Sequence, residues 1–581
     1  MPKGADEIFK DLREHSIAEF FRKNKQMLGY SGKIKSLTTV VHELVTNSLD
    51  ACEESKVLPD LFVKIEQPGD DLVVVHERDN GPGIPEKHIS SVFGKMLAGT
   101  KFHRHVQLRG QQGIGVAGVT MFSQMTTGKP VEIISVTRNE AYDIELMVDI
   151  RKNKADIINK QKIDPLPEET GVEYVAKFKD VQFSTGDQGP YEYLRRTALA
   201  NPHTQITYVD PSGARVEFPR TAQEIPKPPK ETQPHPKGVI VEDLVLMGKR
   251  SVARSIKSML QQELTRFSAG KGKELQELVN FDLGMKPKKM GWTEAEQIVK
   301  AFKKMKFLAP ATDCLRPIGG AKIEEAMKSI LAPEFLSVIE RKPNVYGGGY
   351  PFQIEVAVAY GGHAGRKLNS GETRMEIMRF ANRVPLLFDT GGCGLTKAVQ
   401  SVDWKRYGLR DLENSPVSIF VNLISTHIPY TSAGKQSVAD EDEIVDEIRF
   451  ALMELGRKFK RFHSGKRKAK EHAIRRDKLL RYVSEIVPAI SELTGRDKEK
   501  IREKWEQLIE DKIGVLPQEE EDVEGEEGAK TVQKSPSEES GEIEEEEDQV
   551  DEVTDDAPEE GDEENEEKPV PRFDRKIVDY F

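Results

Sequence analysis

The sequence holds only three cysteines in 581 residues, Cys52, Cys314 and Cys393. They are too few and too widely spaced for a disulfide framework or a thiolate metal site, which places the chain in a reducing compartment. No apolar run is long enough to span a bilayer, so no membrane partner is expected. The first residues, Met1-Pro2-Lys3-Gly4-Ala5-Asp6, are polar and unlike a secretory leader. A soluble, cytoplasmic protein is expected, long enough for three or four domains.

Acidity is also missing from most of the chain, although the net charge is −12. Between Gln518 and Glu567 stand 26 acidic residues and two lysines, a local net of −24 that leaves +12 on the remainder. A basic body suits a nucleic-acid partner, since phosphate contacts supply most non-specific affinity. Lysine-rich surfaces of heat-loving organisms offer the other reading. The acidic stretch cannot bury a core, and disorder is expected there.

The stretch Thr38 to Cys52 sorts into two faces when wound at about 100° per residue. Val41, Leu44, Val45, Leu49 and Cys52 form an apolar stripe, while Glu43, Asn47 and Asp50 converge opposite it. A carboxylate can polarise a water, and an amide oxygen one turn away can hold a divalent cation. An amphipathic helix with a polar outer face shows the same pattern. Two glycine-rich stretches follow. Asp79-Asn80-Gly81-Pro82-Gly83-Ile84 comes after the apolar strand Leu72-Val73-Val74-Val75, and a carboxylate there suits an adenine amino group. Gly110-Gln111-Gln112-Gly113-Ile114-Gly115-Val116-Ala117-Gly118 opens a helix, and its backbone N–H groups make an anion site for phosphates.

Acid-amide helix, D-x-G-x-G and G-x-x-G-x-G in this order resemble the ATP site of the GHKL superfamily, which includes gyrase B subunits, MutL, the ninety-kilodalton heat-shock chaperones and histidine kinases. The resemblance implies ATP and Mg2+ as cofactors, with Glu43 as general base and Asn47 as magnesium ligand. It implies Asp79 and Gly83 at adenine, and the backbone of Gly110, Gln111, Gln112, Gly113, Ile114, Gly115, Val116 and Ala117 around the phosphates. A lid from about 90 to 109 would carry Thr100 and Lys101. The superfamily's fourth motif has a Gly-Thr step; here the order is Thr170-Gly171, which leaves Thr170 a doubtful phosphate contact. Residues 1 to about 30 either reach a partner protomer's nucleotide site or pack on their own domain.

Alternating strands at 131–136, 141–148, 172–178 and 205–209, with a helix at 191–200, predict an α/β sandwich ending near Pro219. A proline-rich linker leads to a helical block at about 239–307, with Leu244, Val252, Ile256, Leu260, Leu264 and Phe267 at helical spacing. Lys271 and Lys273 lie among its basic turns, and the block resembles the helix-two-turns-helix module of some DNA glycosylases. A helical spacer with a solvated basic surface has the same features. Next come a helix at 323–331, strands at 352–359, 379–386 and 417–423, and a helix near 396–402. Asp403-Trp404-Lys405-Arg406-Tyr407 interleaves aromatics with cations, as a DNA-contacting patch does, though a tryptophan also serves as a core anchor. It resembles a W-K-x-Y signature, implying DNA contact by Trp404, Lys405 and Tyr407. In the loop Pro429 to Ala439, Lys435 matches a switch lysine that reaches the γ-phosphate, although lysines in loops are commonly just solvated. A charged helix then runs from Asp440 to about Val487 on the stripe Ile444, Ile448, Leu452, Leu455 and Phe459, and a further helix is expected at 497–513. The distal part of this stalk, with Leu480 and Val483, calls for a partner to cover it.

Residues 1 to about 515 resemble the B subunits of archaeal-type DNA topoisomerase VI, the type IIB enzymes. The expected fold is α+β multidomain: a GHKL (Bergerat) ATPase α/β sandwich at 1–225, a helix-two-turns-helix domain at 226–308, a transducer α+β domain at 309–470, and stalk helices at 471–516. A disordered acidic tail at 517–569 and a C-terminal docking peptide at 570–581 follow. By implication two copies form an ATP-bound homodimer around double-stranded DNA and join a cleaving topoisomerase VI A subunit in an A2B2 heterotetramer. The rivals are a GHKL clamp of mismatch-repair or chaperone type, and a non-hydrolysing DNA-break scaffold.

Overall fold

A 23-residue helix, α1 (Lys33–Ser55), fixes the first layer of the chain. Its apolar face is buried as the periodicity requires, with Val41, Leu44, Val45, Leu49 and Cys52 each 3% exposed or less. The computed structural model describes residues 23–96, 106–110, 113–149, 154–164, 167–368, 370–432 and 434–511. Thr100, Lys101, Gln111, Gln112, residues 1–22 and everything after 511 lie outside them, so the middle of the lid (97–105), most of the leading segment, the acidic tail and the docking peptide are not described.

α1 packs on an eight-stranded sheet of β1 (Asp60–Gly69), β2 (Leu72–Arg78), β3 (Val131–Val136), β4 (Ala141–Asp149), β5 (Lys154–Lys162), β6 (Gly171–Phe178), β7 (Gln205–Val209) and β8 (Arg215–Phe218). The order is β5-β4-β3-β6-β2-β1-β7-β8. Neighbours run antiparallel except β1 and β7, which are parallel. α2 (Glu86–Gly94), α3 (Gly115–Thr127) and α4 (Pro190–Ala200) complete the helical layer. Alternation along β6 turns Val172, Tyr174, Ala176 and Phe178 into one core with α1 and α3, a two-layer sandwich.

Residues 236–308 form four short helices, α5 (Val241–Arg250), α6 (Ile256–Glu263), α7 (Ala269–Leu278) and α8 (Trp292–Lys304), on their own core. Leu244, Ile256, Leu260, Leu264 and Phe267 are buried there, but Val252 is 97% exposed in the break between α5 and α6. Helical spacing fails at Val252 because α5 ends at Arg250. Lys271 and Lys273 sit in the first turns of α7 and not in a loop.

The second sheet contains β9 (Phe335–Glu340), β10 (Asn344–Tyr346), β11 (Tyr350–Tyr360), β14 (Glu376–Ala381), β15 (Val384–Pro385) and β16 (Val417–Ser425), beside a small ribbon of β12 (Arg366–Lys367) and β13 (Thr373–Arg374). β16 is buried along all nine residues because helices cover both faces. α9 (Gly320–Leu331) and the end of α4 cover one face. α10 (Gly394–Gln400) and the long α11 (Asp442–Thr494) cover the other, through the expected stripe Ile444, Ile448, Leu452, Leu455 and Phe459. The strand expected at 379–386 is two strands joined by Asn382 and Arg383, both in the left-handed region at φ 49° and 70°.

α11 spans 53 residues, about 80 Å at the usual rise. Its distal stripe is partly covered by the chain itself: α12 (Lys498–Ile509) folds back and buries Val483, Val487 and Ile509, with Leu480 packed alongside. Ile486 and Leu493 stay exposed. No helix among the described residues is long and apolar enough to cross a membrane.

Candidate active site

The polar face of α1 and the start of α3 meet in one cleft. A Cβ built on Gly115 would lie 2.2 Å from Glu43 Oε2, so the Glu43 carboxylate lies directly against the backbone where the glycine loop enters its helix. Glu43 therefore stands against the helix start whose N–H groups form the anion site. Asn47, one turn on and exposed, donates from Nδ2 to the Glu43 carbonyl at 2.6 Å, which leaves its amide oxygen for a cation. Asp50 does not join them: Arg109 Nη1 donates to its carboxylate at 2.8 Å. Gly113, at φ 58°, and Ile114 precede the first turn of α3, formed by Gly115, Val116 and Ala117; Gly110 opens the same stretch.

At the other end of the cleft Asp79 is 7% exposed. Ser48 Oγ lies 2.7 Å from Glu77 Oε1 and 3.1 Å from Asp79 Oδ2. One hydroxyl proton cannot serve two carboxylates, so one acid must donate. Glu77 suits the donor's part: burial pushes it well above the ordinary carboxylate value and Asp79 adds to the rise. Burial raises Asp79 too, but there the N–H of Gly81 at 2.7 Å, the Ser48 hydroxyl and the N–H of Val172 oppose it. The result is a chain, Glu77 acid to Ser48 to Asp79 carboxylate, that aims Asp79. Two glycines make room. A Cβ on Gly83, at φ 69°, would meet the Val136 carbonyl at 2.1 Å, and one on Gly171 the Asp79 carbonyl at the same distance. Thr170 thus stands beside the Asp79 turn.

The loop Pro429–Ala439 reaches the cleft from the end of the second sheet. It is closed by a Tyr430–Val438 bridge and tied down by Ser437 Oγ donating to the Gly392 carbonyl at 3.0 Å. Lys435, half-buried with φ 51°, is held below the ordinary lysine value by burial, against the attraction of Glu43 and Asp50. His42 lies between these charges, with Nε2 3.9 Å from Glu43 and Nδ1 3.2 Å from the Tyr193 hydroxyl. Burial lowers its pKa and keeps the ring neutral. His42, Ser48 and Glu77 were not singled out by sequence; the signal was their position beside Glu43, Asn47 and Asp79 in the chain.

The basic residues fare differently. Trp404 and Tyr407 are 4% and 8% exposed, with Trp404 Nε1 donating to the Val399 carbonyl at 3.0 Å and Tyr407 filling the space over Gly456. The two rings therefore anchor the turn, and the charged side chains of Asp403, Lys405 and Arg406 are what it exposes. Lys271 pairs with Glu274 at 2.6 Å and lies over the Phe307 ring, whereas Lys273 is exposed.

A profile of histidine kinase-, DNA gyrase B- and HSP90-like ATPases matches residues 32–150, which defines the first sheet and its cleft as an ATPase domain of that class. A second profile, the transducer of the topoisomerase VI B subunit, matches residues 310–475. The B subunit of type 2 DNA topoisomerase 6 from Methanothermobacter thermautotrophicus is 50% identical over 502 residues, covering 86% of this chain and 95% of that protein. Its counterpart from Pyrococcus horikoshii is 47% identical over 557 residues, covering 88% and 97%. The chain belongs to the family of type 2 DNA topoisomerase 6 B subunits. Among solved structures, the ATPase region of Saccharomyces cerevisiae topoisomerase II aligns over 78% of this chain and 98% of that one, with a TM-score of 0.38 and 10% identity, too distant for any residue to be carried across.

Proposed function

We propose that this chain is the ATP-binding and hydrolysing subunit of a type IIB DNA topoisomerase. ATP closes two copies into a homodimer around a duplex, and a separate A subunit cuts the second duplex within an A2B2 heterotetramer. One observation supports this most: Glu43 stands against the start of α3, and Lys435, on the loop that follows the second sheet, is close enough to feel the charge of Glu43 and Asp50. Two domains can therefore respond to one ligand, and a ligand shifts an equilibrium only through contacts it makes in one state.

In this reading Asp79 accepts from the adenine amino group, with Gly83 beneath it, and the backbone from Gly110 to Ala117 receives the phosphates. Thr100, Lys101, Gln111 and Gln112 belong to the same proposal as parts of the lid and loop. Glu43 takes the proton of the attacking water, while Lys435 meets the charge of the terminal phosphate. Among the described residues no three acidic, histidine or cysteine side chains gather to hold a metal. Mg2+ fits Asn47 as a single protein ligand, because this cation keeps water and takes phosphate oxygens for the rest. It would shield phosphate charge during hydrolysis. Lys273, Lys405 and Arg406 supply exposed cations for DNA, and the cell's DNA places the protein in the cytoplasm at the nucleoid. Of the rivals, a mismatch-repair or chaperone clamp does not account for the transducer match, and a non-hydrolysing scaffold does not need Glu43 placed against α3.

Supercoiled plasmid incubated with this chain, a cognate A subunit and ATP should relax. Omitting either the A subunit or ATP should stop relaxation. Relaxation without ATP, or a chain that binds no adenine nucleotide, would overturn the proposal.

A further inference from the structure

The segment 107–109, which leads into the glycine loop, is held at three points by residues of the second domain: Arg316, ahead of α9, and the Asn382–Arg383 hairpin of the second sheet. Gln107 makes two bonds with the backbone of Arg316, at 3.0 and 2.7 Å. Asn382 Nδ2 donates to the Leu108 carbonyl at 3.2 Å. The third grip runs through Glu53, at the last turn of α1. Its carboxylate accepts from Arg109 at 2.5 Å, faces His203 Nε2 at 2.8 Å, and accepts from both terminal nitrogens of Arg383 at 3.0 and 3.3 Å. All four side chains are 13% exposed or less.

The charges balance. Arg109 and Arg383 face Glu53 and Asp50, and His203 is kept neutral by burial. Burial alone would raise Glu53, but the two guanidiniums hold it well below the ordinary carboxylate value. The Asn382–Arg383 hairpin is itself rooted deep in the second sheet. Asn382 exchanges bonds with Ser425, and Arg383 N donates to Asn422 Oδ1. Asn422 in turn donates to the fully buried Glu355, which accepts from Gly319 N at the head of α9. The left-handed backbone at 382 and 383 is an uncommon conformation for these residues, held by this network.

We propose that Glu53, Arg109 and Arg383 are positioning residues that set the glycine loop against the second sheet, so that the hairpin at 382–383 fixes the register of the phosphate-binding backbone. None of the three touches nucleotide in the site described above, and the inference rests on that ATP-site reading. Its effect belongs in nucleotide affinity and in order of the loop, not in the hydrolytic step.

The test uses the full-length protein and three variants, Arg383→Ala, Arg383→Lys and Asn382→Ala. Arg383→Ala should raise KM for ATP about tenfold with kcat within about threefold, and Arg383→Lys should recover part of the loss. Asn382→Ala, which unpairs no buried charge, should raise KM about threefold. In nucleotide-free protein, amide exchange of the peptide covering 106–118 should quicken in the same order. A lowered melting temperature with unchanged KM and unchanged exchange would show mere packing and overturn the proposal. Should Arg383→Ala fail to fold, Asn382→Ala decides by the same criteria. If wild-type protein binds no ATP, the function proposed above fails, while the exchange measurement still judges the hairpin's hold on the loop.

Discussion

The nucleotide cleft and the basic surfaces use charge in opposite ways. In and behind the cleft, Asp79, Glu77, Arg109 and Glu53 are buried with named partners at 2.5–3.1 Å. On the surfaces, Lys273, Lys405 and Arg406 stand exposed on helical turns. The first arrangement fixes geometry, because a buried charge is tolerated only where its partners are placed. The second attracts a polyanion additively and weakly per contact. Recognition of one small ligand and attraction of a long polymer thus occupy separate parts of the chain, and each difference can be tested.

The largest effect is expected at Glu43. Removing a general base costs about 10²–10⁴-fold in turnover. Glu43→Ala should lose ATP hydrolysis by that factor and still dimerise with ATP, because the anion-binding backbone of α3 is intact. Turnover near the wild-type rate, measured by phosphate release, would remove Glu43 from the role and weaken the view that the cleft fixes chemistry by geometry.

The next effect concerns Glu77. Glu77→Ala leaves Ser48 without its donor and should weaken ATP binding by about tenfold, in keeping with a lost buried hydrogen bond. Glu77→Gln can donate as the acid does and should bind ATP within about threefold of wild type. A carboxyl raised in the folded state contributes stability that is full below the ordinary carboxylate value and lost as pH rises toward the folded one. Glu77→Gln has no proton to lose, so its melting temperature relative to wild type should climb as pH rises above the ordinary carboxylate range. A flat difference would mean that Glu77 is ionised.

How far the sequence revealed these parts depends on the range of the interactions. The stripe of α1 and that of α11 follow from a 3.6-residue period, which is local, and each of the five residues expected in either stripe is buried. The glycine at 83 was legible because a close backbone approach at positive φ demands that residue. The Glu53 cluster was not legible: its members stand at 53, 109, 203 and 383, and no local pattern joins them. The hairpin at 382–383 was hidden because apolar residues on both sides suggested one strand, and the turn depends on tertiary bonds from Asn382. Trp404 and Tyr407 were ambiguous for another reason. Aromatics interleaved with cations make the same string whether the rings lie on a phosphate backbone or fill a core, and only burial separates the two.

The smallest effects belong to the basic surfaces, and there the comparison can be sharpened residue by residue. Each phosphate contact contributes about 0.9 to the slope of log affinity against log salt. Lys405→Ala with Arg406→Ala should flatten that slope by about 2 while leaving ATP hydrolysis unchanged. Lys273→Ala should flatten it by about 1. Lys271→Ala should hardly move it, because that ammonium is already committed to Glu274 at 2.6 Å and rests on Phe307. Equal slopes for Lys271→Ala and Lys273→Ala in DNA titrations would mean that Lys271 leaves Glu274 for phosphate when DNA arrives. An ion pair half open to water has little to hold it against a polyanion, so the difference between these two lysines measures whether the surface is preset or rearranges on contact.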